Sequence, residues 1–345
     1  MLNRLAGSVF HVGSAVERAD VVARMLDVYV VRADLGGDGA SGAAALRAVL
    51  GAEGRQRDPG AAATVDALAL DRHEPASIAH AVGVARDHAR RAREVVATEL
   101  WDCLDATRSR MPRKVALDRS HEFLGWVRER SALAVGVVEG DASRDEVWEF
   151  FTLGRSLLRC AVTARLLASE LVHTDPDRTA QAHRPDQDPT TARPGAPADP
   201  VLADPVLADP EPADPALAVH QDRPLSAHAW TTALRACGAV EAFRRGHGHR
   251  SPRPADVASF LLHDATSPRS LAFLAQRAED CLEDVAPACL ADEVDAFRRA
   301  RSALGRVDVG GPEGMLRAAV ARLAASVDDV VDALGARVFA AAPVR

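Results

Sequence analysis

A stretch near the start of the chain, Gly13-Ser14-Ala15-Val16-Glu17-Arg18-Ala19-Asp20-Val21-Val22-Ala23-Arg24-Met25-Leu26-Asp27, returns without a gap at residues 154 to 168. The copies match at Gly13/Gly154, Arg18/Arg159, Val21/Val162, Ala23/Ala164, Arg24/Arg165 and Leu26/Leu167. An internal duplication limits the fold to one in which the same element is used twice. At helical spacing Gly13, Glu17, Asp20, Arg24 and Asp27 share one face, and the copy presents Gly154, Leu158, Ala161, Arg165 and Ala168 there. The arginine is retained and the acids are lost. Such a stripe is either a solvated face or a charge network buried between helices, where each charge needs a partner. The leading glycines favour close backbone approach, and Val16, Val21 and Val22 put apolar residues on several sides, which favours the buried reading.

Composition points to helices throughout. Aromatic residues make up only 4% of 345 residues while hydrophobic residues reach 48%, so the core is built from Ala, Leu and Val, with little β-type alternation. The expected fold is all-α, an elongated multi-helix bundle with an internal helix duplication. A net charge of -7 argues against nucleic acid as a partner. No long apolar run suggests a membrane span or a signal peptide. The five cysteines are scattered without a Cys-x-x-Cys pair, which reads as buried free thiols in a cytoplasmic protein. Lys114, the only lysine, sits in a Met-Pro-Arg-Lys loop and is expected at the surface.

Along the chain, a long first helix over 3–34 is stopped by a Gly-rich run, and short helices follow near 43–51 and 61–70. A turn at Asp71 to Pro75 leads into a helix from Ala76 to about Thr107, with a ladder of Asp87, Arg90, Glu94, Thr98 and Trp101. A helix over 116–139 follows; within it Asp118 and His121 form too weak a pair for a metal site. Ser143 and Glu146 read as a capping box opening the helix that carries the second copy. Residues 173–225 change character, with Ala-Asp-Pro recurring every five residues from Ala198 to Pro215, and read as a disordered insertion. It divides an N-terminal half-bundle (1–172) from a C-terminal one (226–345). In the latter, Ser226 caps a helix that runs on to a basic turn at 244–250. Pro254 opens a short helix, Ser267-Pro268 reads as an N-cap and N1 pair, and a last helix covers 312–339. Arg269 then falls in a first helical turn, where the dipole disfavours it, and an acidic partner is expected.

These residues resemble the bacterial alpha-E proteins. The resemblance runs from Met1-Leu2-Asn3-Arg4 through Glu17-Arg18-Ala19, Pro75-Ala76-Ser77-Ile78, Ala85 to Arg90, Trp101, Trp148 with Phe150, and Gly154-Arg155. It continues through Trp230, Leu234-Arg235-Ala236, Phe260-Leu261-Leu262 and Pro268-Arg269-Ser270. The chain departs from that pattern at His11, where Trp is usual, at Ser14 for Arg, at Leu158 to Ala161 for Glu-Arg-Ala-Asp, and at Arg86-Asp87-His88 for Arg-Glu-Asn. The resemblance implies a place beside circularly permuted ATP-grasp ligases and transglutaminase-like peptidases. The chain would then be an accessory or second subunit in amide-bond chemistry, with ATP bound by the partner and no cofactor of its own.

The residues themselves offer no phosphate loop, nucleophile elbow or metal cluster. The expected function is binding of a peptide or amino acid in a charged interhelical groove, through Arg18, Arg24, Asp87, Arg90, Arg165 and Arg269. The alternatives are an independent enzyme with Glu17 or Asp20 as general acid or base, and a non-catalytic interaction bundle.

Overall fold

A computed structural model describes residues 3–34, 39–52, 60–169, 227–248 and 252–340. Among these are thirteen α-helices and no strand. They are α1 (Asn3–Asp34), α2 (Gly39–Leu50), α3 (Ala61–Leu70), α4 (Ile78–Arg91), α5 (Thr98–Ser109), α6 (Ser120–Asp141), α7 (Glu146–Ala168), α8 (Ala227–Cys237), α9 (Val240–His247), α10 (Pro254–His263), α11 (Leu271–Val285), α12 (Ala291–Leu304) and α13 (Glu313–Ala333). The all-α bundle expected from composition is therefore present. The repetitive segment 173–225 and the Ser226 cap lie outside the described residues.

The two duplicated stretches form α1 and α7, which pack directly on each other at the centre. Both bury residues on all sides, α1 against α4, α6 and α7, and α7 against α1, α11 and α13. Their glycines explain the close approach. A Cβ on Gly13 would fall on the carbonyl oxygen of Phe151, and one on Gly154 on that of Phe10. Phe10 and Phe151 are themselves matching positions of the duplication, so the contact is reciprocal and a pseudo-twofold axis passes through it.

The duplication reaches well beyond these helices. Helix starts at Ala61, Ile78, Thr98 and Ser120 recur at a constant offset of 193 residues, at Pro254, Leu271, Ala291 and Glu313. Local chemistry repeats with them. Ser77 donates its hydroxyl to the Asp71 carbonyl and accepts from the His80 N–H at 3.0 Å. Ser270 donates to the Asp264 carbonyl and accepts from Phe273 N–H at 3.1 Å. Helices α2 and α8 also end alike, on Gly51 (φ 72) and Gly238 (φ 67), each followed by a 2.8 Å bond back to the last turn. Arg86 pairs with Asp105 at 2.6 Å, and at the matching positions Glu279 pairs with Arg298 at 2.9 Å with the signs exchanged.

Several local expectations are corrected. The helix expected over 76–107 is two helices, because the chain turns at Ala92, whose carbonyl accepts from both Val95 and Val96, and α5 folds back to α4. The ladder from Asp87 to Trp101 is thus not one face. Asp145, not Ser143, caps α7, its carboxylate accepting from Val147 at 2.9 Å and Trp148 at 3.3 Å, where an anion also suits the helix dipole. Ser270 rather than Ser267 caps α11, so Arg269 precedes the helix. Likewise Pro75 precedes α4 by a short turn closed by Ser77. The helix expected to run from Trp230 to Phe243 breaks at Gly238, and the last helix ends in a π-helical turn over Leu334–Phe339. Four cysteines are buried and Cys289 is exposed; none is disulfide-bonded. Among the described residues no helix is long and apolar enough to cross a membrane.

Candidate functional site

Glu17 and Asp20, one turn apart on α1, face α7 and the approach to α11. Glu17 is only 1% exposed. Its carboxylate is bonded by Arg159, and Arg155 approaches the other oxygen at 3.4 Å. Asp20 receives Arg24 at 2.9 Å, Arg269 at 3.4 Å and Arg159 at 3.7 Å. Four guanidinium groups thus surround two carboxylates. Arg269 reaches in because the turn before α11 places it outside the helix; it meets the acidic partner Asp20, although the first-turn placement from which such a partner was expected does not hold. Arg24 lies against Gly238, where any Cβ would collide with its guanidinium.

The electrostatics follow from this surplus of positive charge. Burial opposes the Asp20 charge, but Arg24, Arg269 and Arg159 outweigh it and hold the carboxyl below its usual range. Burial lowers Arg269 to about 10, with Arg159 and Arg24 pushing the same way against Asp20. Arg155 is lowered by burial despite Glu17. Cys237, next to this cluster, is pushed up to about 11 by burial and stays a thiol.

A cavity of about 270 Å³ opens beside the network, between α6, α7 and α11. Its wall includes Glu17, Arg155, Arg159, Trp148, Thr152 and Arg277. Two buried side-chain atoms on this wall, Trp148 Nε1 and Thr152 Oγ1, have no hydrogen-bond partner, and Arg155 Nε meets only the Glu17 carboxylate, in the ion pair at 3.4 Å. Arg144 and Arg277 stack on the Trp148 ring at 4.2 and 5.4 Å, fixing its orientation. Glu139, also on the wall, is held by Arg144 at 2.9 Å. The indole and guanidinium can only donate, so the arrangement suits an acceptor bearing negative charge.

The other residues singled out in the sequence lie elsewhere. Arg18 and Arg165 line a separate cavity across the α1–α7 contact, where Arg165 pairs with Asp328. Asp87 and Arg90 are exposed on α4, and Asp87 meets Arg86 at 3.3 Å. Asp27 and His121 pair with each other, and Arg128 joins Asp27 at 3.1 Å. Among the described residues no group of three or more His, Cys, Asp or Glu side chains gathers as a metal site. Sequence reasoning missed Arg155, Arg159, Trp148 and Thr152 as site residues. Arg159 left a signal as an arginine kept in both copies, and Trp148 and Arg155 stood among the residues of the family resemblance without being assigned to a site.

A family model described as Alpha-E, a predicted alpha-helical domain with a conserved ER motif, matches residues 1–339. The chain belongs to the Alpha-E family. No curated protein and no solved structure matches it. This Alpha-E chain contains Glu-Arg twice, at Glu17-Arg18 and Glu129-Arg130. Glu129 is exposed, whereas Glu17 lies in the core and Arg18 is half-buried beside it. Two of the departures from the Alpha-E pattern touch: the His11 and His88 rings lie 4.7 Å apart. Two more, Ser14 and Leu158, line one cavity.

Proposed function

We propose that the protein binds a small carboxylate-bearing molecule, an amino acid or the C-terminus of a peptide, in the cavity between α6, α7 and α11. In this reading it serves as the accessory subunit of an ATP-grasp amide ligase, which supplies the nucleotide site. The observation that carries the binding reading is the pair of unpartnered buried groups, Trp148 Nε1 and Thr152 Oγ1, beside a network with two guanidinium groups in excess. Buried donors without partners are costly, and a carboxylate satisfies several at once. Glu139 stands on the same wall and suits the ammonium of an amino acid. A transglutaminase-like peptidase is a further candidate partner. The ligase partnership itself rests on the family resemblance.

Acid–base catalysis by Glu17 or Asp20 is the weaker reading. Asp20 is held ionised by three arginines, and both oxygens of Glu17 are turned to arginines.

The test combines ligand and partner. Tryptophan fluorescence is titrated with free amino acids and dipeptides, in the intact protein and in Arg155→Gln and Trp148→Phe. Saturable binding, weakened about ten-fold in both variants, supports the site. ATP turnover by a co-purified ATP-grasp protein is then measured with and without this chain. No binding by any of the compounds overturns the ligand reading, and turnover indifferent to this chain overturns the ligase reading.

A further inference from the structure

Across the α1–α7 contact lies a second cavity, of about 260 Å³, that the pseudo-twofold axis relates to the first. Arg18 stands where Arg159 does, Ser14 where Arg155 does, Leu158 where Glu17 does, Ala161 where Asp20 does, and Pro75 where Pro268 does. Neither acid has a counterpart here, while the basic side does. Arg165 has found a new partner, Asp328 on α13, with both carboxylate oxygens at 2.5 and 2.6 Å. Arg18 has not. It donates to the Leu50 carbonyl at 3.3 Å, and no carboxylate among the described residues lies within ion-pair distance. Glu74, next to Pro75, is already engaged by Arg47 at 3.5 Å and by the Ala76 N–H at 3.2 Å. Burial and the neighbouring Arg165 lower the Arg18 pKa, as expected for a cation short of a counter-ion.

We propose that this second cavity binds a small aliphatic monocarboxylate, its carboxylate on Arg18 and its hydrocarbon against Phe10, Leu157 and Val331. Those three side chains supply apolar surface to the wall that Arg18 also lines. One uncompensated arginine matches one negative charge, and Asp328 on the same wall repels a second. The inference does not depend on the ligand of the first cavity, whose donors are different residues.

The probe is butyrate labelled with carbon-13 at the carboxyl, titrated by NMR into the whole protein and into Arg18→Gln, Leu158→Glu and Arg155→Gln. The expected result is saturable binding that weakens about ten-fold or more in Arg18→Gln and Leu158→Glu and persists in Arg155→Gln. Leu158→Glu returns to Arg18 the partner that Glu17 gives Arg159, so its Tm is expected to rise. Absence of saturable binding overturns the proposal, as does loss in Arg155→Gln alone, which would put butyrate in the first cavity. A lower Tm for Leu158→Glu overturns it too, since Leu158 would then not face Arg18. Inorganic phosphate competing as well as butyrate would overturn the monocarboxylate class.

Discussion

The two cavities flanking the α1–α7 contact began from the same pattern and now differ in charge. On the Glu17 side, two carboxylates organise four arginines, and the buried Trp148 Nε1 and Thr152 Oγ1 beside them have no hydrogen-bond partner. On the Leu158 side no acid stands at the matching positions, Arg165 pairs with Asp328 on α13, and among the described residues Arg18 bonds only the Leu50 carbonyl. The difference shows that within a duplicated core an arginine can outlast its acid. Its long side chain finds a carbonyl or a ligand, whereas a buried carboxylate without a cation has few remedies.

This contrast can be broken most directly at Glu17. Glu17→Ala leaves Arg155 and Arg159 without their carboxylate and is expected to cost about 3–5 kcal/mol in urea unfolding. Leu158→Ala, at the matching position, removes half-buried methyl groups and is expected to cost about 1 kcal/mol. Equal costs would mean that the Glu17 network is not a structural asset.

A smaller effect is expected from the His11–His88 pair. Burial, with His11 and Arg91 adding to it, lowers His88 to about 4, and burial and Arg91 lower His11. The unfolded chain takes up these protons near pH 6.5 while the folded one resists. Stability from this pair is therefore complete above pH 6.5 and falls as pH drops towards 4. Asp20, held low, keeps its contribution until the pH is below 3.8. Thermal melts between pH 7 and 4 should show the decline, and His88→Asn should flatten it.

The smallest effect sharpens the comparison of the two halves. Arg86→Glu is expected to lower Tm slightly, and Arg86→Glu with Asp105→Arg to recover it, because the second half already carries that arrangement as Glu279 and Arg298. A double variant no better than the single would show that the two pairs are not equivalent.

The sequence alone made some of this visible. All-helical composition and the repeat of residues 13–27 pointed to a bundle with a duplicated helix, and Gly13 and Gly154 pointed to close approach. The wider duplication was hidden because what it preserves is function rather than identity. Asp71/Asp264, Pro75/Pro268 and Ser77/Ser270 match, but the ion pair between α4 and α5 recurs with its charges exchanged, which counts as two mismatches. Ser267-Pro268 imitates a helix start, and only the fold reveals that Ser270 closes the turn. Arg269 has an acidic partner, but not for the reason its sequence position suggested, because it lies in the turn before the helix rather than in its first turn. The wall formed by Trp148 and Thr152 was not legible as a site, since an aromatic near the start of a helix usually belongs to the core.

Gly13 and Gly154 meet reciprocally at the axis relating the halves, so a half-length ancestor with one such glycine could close on a second copy of itself and form two equal cavities. In such a dimer every substitution is written twice. With both copies in one polypeptide, Leu158 and Ala161 can stand on one side while Glu17 and Asp20 stand on the other, an asymmetry closed to identical subunits.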